Sequence, residues 1–81
     1  MHQAIPRKAR CLLTYEDPGD ARDFFDAALQ TELGKRAARN VFAGQTLMEI
    51  RTAAQQADDA RIVEMANQLR AELHREYPDL F

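Results

Sequence analysis

Residues 46–77, TLMEIRTAAQQADDARIVEMANQLRAELHREY, decide the fold of this chain. The opening Thr46-Leu47-Met48-Glu49 has the S/T-x-x-E form of a capping box. In that motif the Thr hydroxyl accepts from a backbone N–H one turn on, and the Glu carboxylate reaches back to the Thr N–H. Apolar side chains follow at Leu47, Ile50, Ala54 and Ala57, then beyond Asp58-Asp59 at Ile62, Ala66, Leu69 and Leu73. Steps of three and four place each set on one helical face. The stretch therefore predicts two helices, about 47–56 and about 60–76, folded back on each other at the aspartates. Pro78 closes the second, because the residue before a proline is pushed out of the α region.

Working towards the N-terminus, Phe42 lies in the connection before the capping box and is too large to leave in water, so it is expected to plug one end of the core. Further back, Ala21, Phe24, Phe25, Ala28, Leu29 and Leu33 form another amphipathic stripe. Pro18-Gly19-Asp20 reads as the turn into it, with Asp20 as N-cap. Asp20, Asp23 and Asp26 at its start, and Lys35, Arg36 and Arg39 past its end, match the helix dipole. The helix is expected to run to about residue 33, with a further turn or two over 35–39. Gly34 then serves as a C′ residue or is tolerated inside at a cost of about 1 kcal/mol relative to Ala.

Residues 1–17 read as an arm. Pro6 discourages helix, and Arg7, Lys8 and Arg10 make a short basic run. Cys11, Leu12, Leu13, Thr14 and Tyr15 supply an apolar patch, either a strand or an extended segment lying over the bundle. A lone strand leaves its backbone groups unsatisfied and would need another copy or a partner. The expected fold is thus all-α: a small three-helix bundle, residues 18–81 as a single helical domain, with an N-terminal extended arm.

At 81 residues and 46% apolar, much of it alanine, the chain has few large anchors. Short chains bury a small fraction of their surface, so a homodimer or an obligate complex is expected. The net charge of −2 and a pI near 5.6 argue against indiscriminate attraction to nucleic acid or anionic membrane. The single Cys11 has no intramolecular disulfide partner, which suits a reducing compartment. There is no run long enough to span a membrane, and the basic start lacks the apolar core of a secretory signal. A cytoplasmic location is expected.

The inventory for catalysis is thin. His2 and His74 stand far apart in sequence, and no H-x-x-x-H, H-E-x-x-H or C-x-x-C spacing occurs. A Cys11–His74 pair would lack an orienting acid and an oxyanion loop. Gly19, Gly34 and Gly44 are scattered singly and form no phosphate loop. No catalytic residue, metal ligand or cofactor site is therefore assigned. The carboxylates Glu16, Asp17, Asp20, Asp23 and Asp26 lack the spacing and central Gly of a calcium loop. They read as a dipole-matched helix start, or as an acidic docking face.

These features predict a non-enzymatic protein-binding module, a regulator, inhibitor or adaptor of a larger bacterial-type complex. The expected contacts are Val63 and Met65, flanking the main stripe of the last helix, and the apolar tail Leu80-Phe81. Asp20, Asp23 and Asp26 form a second candidate. The alternative is a small dimeric DNA-binding regulator in which Arg7, Lys8, Arg10, Lys35, Arg36 and Arg39 meet phosphates. Two details weigh against it. Leu12 falls on the outward face of a hypothetical ribbon strand, and a recognition helix opening with Asp58-Asp59 would repel phosphate.

Overall fold

The computed structural model describes residues 14–80, whose regular structure is all helical: α1 Pro18–Ala28, α2 Glu32–Val41, α3 Leu47–Gln56 and α4 Asp59–Glu76. Each helix begins at an Asp or Thr whose side chain accepts from a backbone N–H three residues on, at Asp17, Thr31, Thr46 and Asp58. Such caps satisfy amides that the first helical turn leaves without partners. The Thr46 box closes in both directions, Glu49 N–H to Thr46 Oγ1 at 3.2 Å and Thr46 N–H to Glu49 Oε1 at 2.8 Å. The break at Asp58 and the helix on each side of it fall where the sequence places them.

Two expectations for the first helical region are corrected. The N-cap is Asp17 rather than Asp20, whose own N–H donates to Asp17 Oδ2 at 3.0 Å. Pro18 takes the first helical position, where its fixed φ is already helical and its missing N–H costs nothing. The expected long first helix is also two helices, so the described residues form four helices and not three. The chain breaks at Leu29, Gln30 and Thr31.

Thr31 causes the break and repairs it. Its hydroxyl donates to the Ala28 carbonyl at 2.8 Å and accepts from Gly34 N–H at 2.9 Å, ending one helix and capping the next. Gly34 is neither a C′ residue nor a tolerated guest. A Cβ built there would lie 1.9 Å from the Ala28 carbonyl oxygen. The absence of a side chain is what lets the first turn of α2 pass over the end of α1.

The core is closed by Phe25, Leu29, Ile50, Ile62, Met65, Leu69 and Leu73, all fully buried. Ala21, Ala28, Ala37, Ala38, Ala54 and Ala66 are buried between them. Small residues there let helix backbones approach closely, so alanine-rich stripes still make a dense interior. Phe42 is buried as expected and meets Phe25 edge-on, with ring centroids 6.4 Å apart. The long α4 is the spine of the bundle and packs most extensively on α1 and α2, whereas α3 touches its neighbours more sparingly. Two arginines bind α3 to α1: Arg22 donates to the Ala54 carbonyl at 3.3 Å, and Arg51 donates to the Leu29 carbonyl at 3.1 Å. The second contact places a cation on a carbonyl that the end of α1 leaves without a helical donor.

Ahead of α1, Tyr15 is held against α4 by one side chain. Its N–H donates to Asn67 Oδ1 at 2.7 Å, and its carbonyl accepts from Asn67 Nδ2 at 3.1 Å. The Tyr15 ring lies 5.2 Å from that of Phe24, with the Arg70 guanidinium 5.0 Å from its centroid. Residues 1–13 of the expected arm, with any strand at Cys11, Leu12 and Leu13, lie outside the described residues.

Candidate protein-binding surface

Of the contacts expected on the last helix, Met65 is not on the surface. It is 1% exposed and belongs to the core. The reason is that α4 packs on α1 and on α2 at once, so its buried face is wider than the stripe of Ile62, Ala66, Leu69 and Leu73 implies. Val63 is half-buried and packs against the same core. Leu80, in contrast, is 68% exposed, in the turn that follows α4. Its N–H donates to the Tyr77 carbonyl at 3.0 Å. Phe81 lies outside the described residues.

The acidic residues divide. Asp17 is consumed as a cap, and Asp20 and Asp23 are exposed along α1. Asp26 borders a polar depression of about 410 Å³ that it shares with Leu29, Gln30, Arg51 and Gln55. Among the described residues, no group of three or more His, Cys, Asp or Glu is placed to hold a metal ion. No helix described is long and apolar enough to cross a membrane.

Two basic residues of α2 have partners, one an acid and one a phenol. Lys35 pairs with Glu32 at 3.3 Å, and Arg36 donates to the Tyr77 hydroxyl at 3.3 Å, while Arg39 is exposed. Asn40 donates to Glu72 and Glu76 at 3.3 and 3.1 Å, joining α2 to an acid–base cluster in which Arg75 bonds both carboxylates. The hydrogen bond from Arg75 holds the Glu72 carboxyl below its ordinary range, partly opposed by burial and aided by Asn40, and Glu72 in turn raises Arg75. Arg7, Lys8 and Arg10 lie outside the described residues.

A different surface carries the exposed apolar side chain that the sequence analysis did not single out. Met48, on the first turn of α3, is 78% exposed. With Lys35, Leu47, Arg51, Thr52 and Gln55 it lines a shallow groove of about 440 Å³. Local hydrogen bonds hold the positions around it. The capping box sets the start of α3, Thr52 Oγ1 donates to the Met48 carbonyl at 2.8 Å, and Arg51 is anchored on Leu29. The signal that would have found Met48 is its phase: it stands one residue after Leu47, off the Leu47–Ile50–Ala54 stripe, where a polar residue is the rule.

The floor of this groove is apolar, with Lys35, Arg51 and Gln55 around it, and the Met48 thioether is flexible and polarizable. Compared with known proteins, the chain matches no family model, no curated protein and no solved structure.

Proposed function

We propose that this protein is a non-enzymatic helical binding module that regulates, blocks or adapts a larger protein assembly. The observation that carries the reading is Met48, a flexible apolar side chain held in water on a capped helix, beside Leu47 and between Lys35 and Arg51. Small helical modules dock through apolar anchors at the centre of a charged rim. The partner is another protein, a second copy of the chain or a larger complex, presenting an apolar side chain next to acidic groups. Leu80 offers a second exposed anchor, and Asp20 and Asp23 a secondary polar contact.

Affinity capture from the native host with the wild-type chain, Met48→Asp and a Gln68→Asp control tests this. Gln68 is exposed on α4. A protein retained by wild type and by the control, and lost with Met48→Asp at unchanged melting temperature, is the expected result. Equal retention by all three chains would refute the assignment of this surface.

A further inference from the structure

We infer that the groove beside Met48 receives Leu80 of a second copy of this chain, with Asp79 of that copy meeting Lys35, a step that rests on the docking role given to the groove above. Among the described residues, the exposed large apolar side chains are Met48 and Leu80. Met48 lines a groove, whereas Leu80 stands out on the turn after α4. One is a seat and the other a knob.

Their charges are opposite. The groove is lined by two cations, Lys35 and Arg51, and by no carboxylate. The knob is preceded by the exposed Asp79. An apolar side chain beside a carboxylate complements an apolar floor beside cations, and such complementarity fixes register. Lys35 is the cation that Asp79 meets. Arg51 already donates to the Leu29 carbonyl at 3.1 Å. Lys35 pairs only across one turn of its own helix, 3.3 Å from a Glu32 side chain that is 84% exposed. An exposed pair of that kind holds its cation weakly.

The knob does not enter its own groove, since Leu80 stays largely in water. Both nevertheless lie at one end of the molecule. Arg36 donates to the Tyr77 hydroxyl at 3.3 Å, and Leu80 N–H donates to the Tyr77 carbonyl at 3.0 Å, so the tail sits beside the first turn of α2. Lys35, the neighbouring residue of that turn, borders the groove. Successive helical side chains point about 100° apart, so knob and groove flank the same turn. A two-fold axis beside it lets each copy place its tail in the other's groove at once. That contact is isologous and closes at two copies.

Complementation between variants of the intact chain tests this. Met48→Asp disables the groove and keeps the tail, and Leu80→Asn does the reverse. Both side chains are in water, so circular dichroism should show wild-type melting for each. Sedimentation equilibrium should find a wild-type dimer and association at least about tenfold weaker for either variant alone. An equimolar mixture of the two should associate more tightly than either, because one intact groove and one intact tail can still meet. A mixture no tighter than its parts would refute the seating of Leu80 beside Met48. Leu80→Asn dimerising like wild type would leave the groove standing with another occupant, whereas Met48→Asp doing so would remove the groove itself. A wild-type monomer throughout would overturn the second copy as occupant, while affinity capture still decides the docking role of the groove. Lys35→Glu should weaken the dimer by about tenfold, and adding Asp79→Lys should restore it; no recovery would refute the Asp79–Lys35 pair.

Discussion

Replacing Gly34 by alanine sets two effects of opposite sign against each other. In an exposed helix interior the change stabilises by about 1 kcal/mol through backbone entropy. Here the new Cβ would stand 1.9 Å from the Ala28 oxygen and 2.5 Å from the Ala28 carbonyl carbon, where real Cβ contacts essentially never fall below 3.0 Å. Both neighbours are backbone, so no side chain can swing aside and α2 must move off the end of α1 by more than an ångström. That shift strains the two hydrogen bonds of Thr31, which break the helices cleanly, at about 1 kcal/mol each. It also loosens the buried contacts of Ala37 and Ala38, at roughly 1–3 kcal/mol for a forced repacking. Sterics win, and Gly34→Ala should destabilise by about 2–4 kcal/mol, lowering the melting temperature by roughly 10–25 °C for a domain of this size. Thermal and urea unfolding followed by circular dichroism measures it. Gly44→Ala is the informative control, because Gly44 has φ of +91° and nothing within 4 Å of its Cβ position. It should show backbone strain alone, about 1–2 kcal/mol. A Gly34→Ala protein as stable as wild type, or more so, would refute the close crossing of α1 and α2.

Leu69→Ala, at a fully buried position of α4, should cost about 2–5 kcal/mol in urea unfolding, and an unchanged midpoint would mean the buried face of α4 is misassigned. The carboxyl of Glu72 is held below its ordinary range in the fold, chiefly by Arg75, so its contribution is fully present above the unfolded pKa of about 4.3 and is lost as pH falls through the lower folded value. The melting temperature of Glu72→Gln should therefore lie below wild type at pH 6 and converge with it on acidification below pH 4; a gap that widens in acid would reverse the sign assigned here. Sedimentation equilibrium at micromolar concentration tests the self-association expected of so few large anchors, and a monomer at every concentration would show that the alanine-lined core suffices for one chain.

The parts of the fold legible in the sequence are those decided within a few residues. The Thr46–Glu49 box is a pair of bonds between groups three positions apart, so spacing alone specifies it, and the break at Asp58-Asp59 shows as an interruption between two apolar stripes. The periodic stripes of α1, α3 and α4 predict the buried faces for the same reason. Phe42 is legible through size: a large ring in a short connection has only the core to enter.

Tertiary structure decided the rest. Thr31 and Gly34 resemble a capping residue and a helix-ending glycine, but the break between α1 and α2 depends on two helices crossing at Ala28, and no local pattern encodes that crossing. Met65 flanks the stripe by helical phase yet is buried, because phase measures angle around one axis, whereas burial depends on how many neighbours surround it, and α4 has two major ones. Met48 shows the converse, an apolar side chain left in water because α3 lies at the margin of the bundle. The pairing of Asn67 with Tyr15 joins residues 52 positions apart. Local propensity is a property of neighbouring residues and survives in the bare sequence; which helix backs onto which is set by packing of the whole chain, and only the folded molecule records it.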